Sequence, residues 1–145
     1  MPTNANHVTG GQVHGDRHAV SSVPGRIADP DATQLDAERL DVFHVAVEFQ
    51  AVAAGFADKA DAILRDQLLR ASVSVVLNLS EGAGRRSRAD KARFYFMARG
   101  SASESGAILH LLRARGVVTD AEYAASRKLV VRIVQMLTRL AGRTR

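Results

Sequence analysis

Apolar residues recur every three or four positions after residue 36, which is the spacing of an α-helix that packs against a core. Between residues 40 and 56 these positions form two stripes rather than one. The first contains Val42, Val45, Phe49, Val52 and Phe56, and the second contains Leu40, Phe43 and Val47. A helix of a small bundle needs one stripe for its own core. The second stripe therefore predicts burial against another subunit or a partner chain.

The segment ASVSVVLNLS, residues 71 to 80, fits two secondary structures. Its β-branched residues favour a strand, and the GxG of Gly82 and Gly84 directly after a strand would suggest a phosphate-binding loop. The apolar positions from Ile63 to Gly82, however, keep the helical spacing throughout. No Gly, Pro, Asn or Asp stands between Asp66 and Asn78 to make a turn. We therefore predict one helix over residues 60–84 and no phosphate loop, since the lysine and third glycine of such loops are also missing.

Four helices are predicted in all, over about residues 37–57, 60–84, 88–115 and 120–141. Gly82 and Gly84 are expected to end the second helix in the left-handed conformation, and Ser87 with Asp90 resembles a capping box for the third. Gly116 is expected to end the third helix, before a second capping box, Thr119 to Glu122, opens the fourth. Inside the third helix, Gly100 and Gly106 predict that another backbone approaches closely.

With short connections between four helices, the predicted fold class is all-α, a four-helix bundle formed by residues 36–145. Residues 1–35 hold all three prolines and no apolar period, and are interpreted as a flexible tail. The tail contains His7, His14 and His18, for which metal binding and plain solvated polar residues remain open. The chain has no cysteine, which excludes disulfides, thiolate metal sites and a cysteine nucleophile. It has no apolar stretch of membrane-spanning length, so we expect a cytoplasmic protein without membrane contact.

The net charge of +5 is concentrated in the predicted bundle. Residues 1–36 hold two basic and four acidic side chains, which leaves 18 basic and 11 acidic side chains for residues 37–145. Two clusters are predicted to contact the backbone of RNA or DNA: Arg85, Arg86, Arg88, Lys91, Arg93 and Arg99, and then Arg127, Lys128, Arg132 and Arg139, followed by Arg143 and Arg145. The first cluster places Arg85, Arg88 and Lys91 on one exposed face. The alternative is a solvated surface with ion pairs between subunits.

Two aromatic residues beside the first cluster have different predicted places. Phe94 falls on the apolar stripe and is expected in the core, whereas Tyr95 is the better candidate for an exposed ring that stacks on a base. Asn78 and Glu81 interrupt an apolar helix, and a buried polar network or contacts to the third helix and Arg93 are favoured over catalysis.

No catalytic, cofactor or metal site is predicted. His44 and Glu48 form one pair, short of the three ligands of a metal site, and His110 has no carboxylate at a suitable spacing. Nothing marks a nucleophile turn either. The expectation is a protein that is not an enzyme and carries no cofactor.

The segment SVSVVLNLSEGAGRRSRADKARFYFMARGSASE, residues 72–104, and more loosely LDVFHVAVEF, resemble the 23S rRNA intervening-sequence proteins and the related accessory variability determinants of diversity-generating retroelements. The family pattern is close to S-I-P-x-N-I-A-E-G-x-G-R-x-S, then R-F and A-x-G-S-x-x-E. The residues that match it are Ser74, Asn78, Glu81, Gly82, Gly84, Arg85, Ser87, Arg93, Phe94, Ala98, Gly100, Ser101 and Glu104. Val76 replaces a proline of the pattern, Leu69 an arginine and Gly106 a glutamate.

The resemblance implies an antiparallel up-down four-helix bundle that assembles as a ring-like homopentamer. It also implies basic surfaces suited to nucleic acid, a reverse transcriptase as partner in the retroelement branch, and no enzymatic function. The expected function is therefore non-enzymatic binding of nucleic acid by an oligomeric bundle. The alternative is a protein-interaction scaffold, for example an accessory subunit that docks a reverse transcriptase or an acidic protein partner.

Overall fold

A computed structural model describes residues 34–144 as an all-α unit with four long helices and, over that range, no strand. A short 3-10 helix, Asp36–Arg39, leads into α1 (Asp41–Ala57), which is followed by α2 (Ala62–Gly84), α3 (Arg88–Ala114) and α4 (Asp120–Arg143). The segment ASVSVVLNLS is helical, as its spacing predicts. The flexible tail is predicted over residues 1–35, of which residues 1–33, with the three histidines, lie outside the described residues.

Three of the four long helices, α2, α3 and α4, begin at polar caps. Asp61 accepts hydrogen bonds from the backbone N–H groups of Ile63 and Leu64 at 3.0 and 3.1 Å, and Thr119 and Glu122 form the predicted reciprocal capping box. Ser87 accepts from the N–H of Asp90 at 3.0 Å, and its hydroxyl donates to the Asp90 carboxylate at 2.8 Å. These caps bind N–H groups that have no partner inside their helix, and so define where α2, α3 and α4 begin.

The glycines that end helices differ from one another. Gly116 follows α3 with a φ of +69°, the left-handed conformation expected there. Gly82 and Gly84 do not have it, because Gly116 is the only glycine with positive φ among the described residues. The predicted left-handed conformation was wrong for that pair, whereas α2 does end at Gly84, as predicted, and Arg85 leaves the helix in an extended conformation. Glycine is needed at position 82 because a Cβ there would clash with side chains of α3, and not because of its backbone conformation.

The core lies among all four helices. Side chains with no solvent exposure include Phe49, Leu68, Leu79, Leu109, Leu112, Ile133 and Leu137. Each helix packs against its neighbours in the chain, and α1 also packs against α4. The first apolar stripe of α1 enters this core, whereas in the second Leu40 and Phe43 are half-buried and Val47 is 45% exposed. The second stripe is thus incompletely covered by the chain itself. Its burial by another chain stays a prediction.

The helix ends meet in two groups. At one end, a cleft between the start of α1 and the end of α4 is lined by Leu40 and Leu140, and Arg39 lines a second cleft with Ala83 of α2 and Tyr95 of α3. At the other end, Lys59 contacts Glu122 and Asp61 contacts Arg115. No helix among residues 34–144 is long and apolar enough to cross a membrane.

Acid is expected to destabilise the fold through Asp61 and Glu122. The N–H of Leu64 and the guanidinium of Arg115 lower the pKa of Asp61, and the N–H of Thr119 with the Lys59 ammonium lowers the pKa of Glu122. A lowered folded-state pKa adds stability above the unfolded-state pKa, and that stability is lost as the pH falls below about 4. Urea midpoints between pH 7 and pH 3 should therefore fall less steeply in Asp61→Ala and Glu122→Gln than in the parent. Identical slopes in all three proteins would contradict the assignment.

Candidate nucleic-acid interface

Basic side chains gather at the end of the unit where α2 stops and α3 starts, which we call the basic end. Its basic members are Arg39, Arg85, Arg86, Arg88, Lys91, Arg93, Arg139 and Arg143. Five acidic residues lie on the same turns: Asp36, Glu38, Asp41, Glu81 and Asp90. Eight basic groups against five acidic ones leave the basic end with an excess of positive charge.

The opposite end, which we call the paired end, neutralises its cations internally. Lys59 pairs with Glu122 at 3.2 Å, Arg113 with Asp120 at 2.7 Å, and Arg115 with Asp61 at 2.5 Å. The first pair joins the α1–α2 connection to α4, the second joins α3 to α4, and the third joins the α3–α4 connection to the α1–α2 connection. The arginines and lysines of the paired end are therefore engaged in holding helix ends together.

At the basic end the ion pairing is sparse. Over the described range, the one ion pair there joins Arg85 to Glu81, four residues earlier on α2. No ion pair of residues 34–144 involves Arg86, Arg88 or Arg139, three of the predicted nucleic-acid contacts. All three side chains are exposed, so an external anion can reach them without displacing an internal carboxylate.

Phe94 organises the arginines at this end. The guanidinium carbon of Arg85 lies 4.9 Å from the centre of the Phe94 ring, and that of Arg93 lies 5.1 Å from it. Both distances are within the range of cation–π attraction. Phe94 was expected in the core but is only half-buried. Its ring holds one arginine from the end of α2 and one from the first turns of α3.

Lys91 has a different role from its neighbours. Its ammonium donates a hydrogen bond to the backbone carbonyl of Ala83 at 2.7 Å, and the residue is half-buried. The predicted exposed face of Arg85, Arg88 and Lys91 is thus wrong for Lys91. Ala83 belongs to the last turn of α2, whose carbonyls lack partners inside the helix, and a lysine satisfies one of them.

Tyr95 is not an exposed ring, contrary to the prediction. It is 3% exposed and packs against the last turn of α2. A Cβ placed on Gly82 would lie 2.8 Å from Tyr95 Cε1 and 3.0 Å from Phe94 Cβ. Burial, together with the negative charge of Asp36, raises the pKa of the Tyr95 hydroxyl. Gly82 is therefore needed so that α3 can seat Tyr95 against α2.

Asn78 belongs to a small polar network between α2 and α3, as favoured from the sequence. Its amide donates to the Ser74 carbonyl at 2.9 Å and to the Ser74 hydroxyl at 3.0 Å. The Ser74 hydroxyl in turn lies 2.8 Å from that of Ser101 on α3. Glu81 is outside this network, because it is exposed and pairs with Arg85 rather than Arg93.

Within residues 34–144, no other backbone lies close to the glycines of α3. A Cβ on Gly100 would meet nothing within 4 Å, and a Cβ on Gly106 would meet only Val130 Cγ1 at 3.4 Å. The predicted close approach is therefore wrong within the described residues. Gly100 and the nearby Arg99 and Glu104 are exposed on α3.

The second predicted cluster divides into two parts. Arg139 lies at the basic end, where it lines a cleft of about 280 Å³ together with Arg39, Arg143, Leu40 and Met136. The other members, Arg127, Lys128 and Arg132, are exposed along the middle of α4, and Arg127 borders a groove of about 320 Å³ between α3 and α4. Arg39 was missed from the sequence, because it is a lone arginine far along the chain from both clusters.

No group of three metal-binding side chains occurs in the part of the chain that the structure describes. The His44 ring contacts the carbonyl of Glu38 at 2.8 Å. The His110 ring contacts the Tyr123 hydroxyl, with Nε2 at 3.0 Å from it. These histidines are thus engaged in contacts between neighbouring helical segments.

Residues 34–144 form an all-α, four-helix unit, with Arg86, Arg88 and Arg139 outside any ion pair of that range at one end and ion pairs between helix ends at the other. Residues 38–139 match the model of the 23S rRNA-intervening sequence protein family, which spans most of the described unit. The chain belongs to that family.

A solved structure supports the fold. It is the crystal structure of a protein with unknown function from the S23 ribosomal protein family of Bacteroides thetaiotaomicron, 22% identical to this chain with a TM-score of 0.66. The similarity covers 69% of this chain and 97% of the other. At this identity the likeness establishes the shared four-helix fold and nothing about binding. No curated protein matches the chain.

Proposed function

We propose that the protein is a non-enzymatic, homo-oligomeric bundle that binds the backbone of RNA or DNA through its basic end. One observation carries the proposal: within residues 34–144 the arginines of the basic end other than Arg85 have no carboxylate partner, whereas Lys59, Arg113 and Arg115 of the paired end each have one. Arginine guanidinium groups suit phosphate because they donate several hydrogen bonds in a planar fork. Each phosphate contact releases a counterion, which favours binding at low salt.

The proposed oligomer explains apolar side chains that the chain leaves exposed. On α2, Val73 and Leu77 are 38% and 62% exposed one turn apart, and Met97 on α3 is 49% exposed. The contact of Ser74 with Ser101 brings these parts of α2 and α3 side by side. A second copy would remove this surface from water, and the second stripe of α1 would add Val47 to it. We infer an antiparallel up-down bundle in each copy, and the resemblance suggests a ring of five.

The decisive test is a gel-shift titration of Arg85→Ala/Arg86→Ala/Arg88→Ala with structured RNA and duplex DNA. Loss of three phosphate contacts should weaken binding about tenfold to a hundredfold at low salt, and reduce the slope of log K against log salt concentration by about 2 to 3. The slope matters because it counts phosphate contacts directly.

A matched variant removes the same charge elsewhere. Arg65→Ala/Arg70→Ala/Arg113→Ala lacks three arginines outside the basic end, and its affinity should stay within about threefold of the parent, since only long-range attraction is lost. Equal losses of affinity in both variants would show that binding depends on net charge and not on a site at the basic end. No binding by the parent at low salt would refute the proposed function.

A protein partner, such as a reverse transcriptase, is the second candidate. The observation that favours it is the groove between α3 and α4, where Val130, Val134 and Ala107 lie beside Arg127. An apolar floor with a basic border suits an acidic amphipathic segment better than bare phosphate. This candidate would be supported over the first if a purified partner still binds after nuclease treatment and no longer binds to Val134→Glu.

A further inference from the structure

The aromatic rings near the basic end are already engaged by the protein. Phe94 carries the guanidinium groups of Arg85 and Arg93 over its ring, and Tyr95 is buried under the last turn of α2. Proteins that hold single strands rely on exposed rings on which successive bases stack. Neither Phe94 nor Tyr95 is presented in that way.

We propose that the basic end selects double-stranded over single-stranded nucleic acid, with Phe94 acting as a positioning residue for arginines instead of a platform for bases. This inference rests on the proposed function, and it specifies the ligand of the same site.

Charge density supports the choice. Duplex DNA presents one negative charge per about 1.7 Å of axis and releases more counterions per contact than a single strand does. A site that contacts only phosphates therefore gains more from a duplex. A single strand regains this difference only through stacking, worth about 1–3 kcal/mol per base. The contacts of Phe94 and Tyr95 leave little of that contribution to their rings.

The placement of the two arginines supports the role of Phe94. Arg85 follows α2 as its C-terminal cap residue, and Arg93 lies on α3, so no backbone hydrogen bond relates them. Their shared ring holds both guanidinium groups within about 5 Å of one point. Two cations so held lose less side-chain freedom when they bind neighbouring phosphates than two independent arginines would.

Phe96 is the third ring of the sequence FYF, and at 37% exposure it provides an internal check. Phe96 is the most accessible of the three rings, so it is the ring on which a base would be expected to stack. If bases do stack on it, its replacement should weaken single-strand binding alone. On the present proposal, Phe96→Leu leaves the ratio of duplex to single-strand affinity unchanged.

The experiment compares a mixed-sequence DNA duplex with an oligothymidylate strand of equal length, by fluorescence anisotropy at low salt with the full chain. The duplex should bind about tenfold more tightly, because its phosphates release more counterions. In Phe94→Leu, duplex affinity should fall about threefold to tenfold and the ratio should shrink, since the arginines lose their common support. Circular dichroism checks that the variant folds.

Single-strand binding equal to or tighter than duplex binding by the parent protein would overturn the inference while leaving the proposed function standing. A selective loss of single-strand binding in Phe94→Leu or Phe96→Leu would overturn it too. If neither probe binds the parent at low salt, the proposed function itself fails. The parent and Phe96→Leu measurements decide the matter even if Phe94→Leu does not fold.

Discussion

Gly82→Ala is expected to lower the free energy of unfolding by about 1–3 kcal/mol, the range for a methyl group forced into a filled core. The added Cβ would lie 2.8 Å from the Tyr95 ring, and that ring is 3% exposed, so it has no open side to move into. Alanine normally stabilises a helix relative to glycine by about 1 kcal/mol. A loss at Gly82 therefore reverses the usual sign. Urea denaturation followed by circular dichroism measures it.

Gly84 is the matched control, two residues further along the same helix. A Cβ there would meet nothing within 4 Å, so Gly84→Ala should leave stability unchanged or raise it by up to about 1 kcal/mol. Combining Gly82→Ala with Tyr95→Leu should cost less than the sum of the two single changes, because the clash is shared. Equal and favourable effects of alanine at both glycines would show that Tyr95 does not constrain α2.

Leu77→Glu is expected to convert the assembly to monomers at micromolar concentration. Leu77 is 62% exposed in the single chain, and in the proposed oligomer its side chain is buried against a second copy. A carboxylate buried there without a partner would oppose association by several kcal/mol. Native mass spectrometry and sedimentation velocity would measure the loss of the oligomer.

Ile63→Glu provides the comparison for the same chemical change. Ile63 is 75% exposed at the start of α2, close to the paired end and away from Val73, Leu77 and Met97. Its replacement should leave the mass of the assembly unchanged. A parent protein that is already monomeric, or an oligomer that persists in Leu77→Glu, would contradict the proposed interface.

The helices could be predicted because their signals are local. The three-to-four spacing of apolar residues through ASVSVVLNLS outweighed its β-branched composition, since no turn residue interrupts it. The capping partners stand three positions apart, as in Thr119 with Glu122 and Ser87 with Asp90, so a short stretch of sequence is enough to predict their contacts.

Long-range contacts account for the features that could not be predicted. The need for glycine at position 82 comes from Tyr95 on the next helix, which no local rule reveals. Tyr95 and Phe94 are adjacent, and which of them faces the core depends on how α3 is rotated against α2. Arg39 joins the basic end because α1 starts beside the end of α4. The pairing of Lys59, Arg113 and Arg115 likewise involves carboxylates that become neighbours only on folding.

The unequal ends give the molecule an electric dipole along its helices. In the field of a polyanion, a molecule with unpaired arginines at one end would rotate before contact, so that this end leads. Orientation during approach acts on the association rate, and salt weakens it over a Debye length of about 10 Å at 0.1 M. Raising the ionic strength should therefore lower the association rate constant as well as raise the dissociation rate constant. On the proposed function, the distribution of charge between the two ends, more than the net charge of +5, would determine the orientation in which the molecule approaches a polyanion.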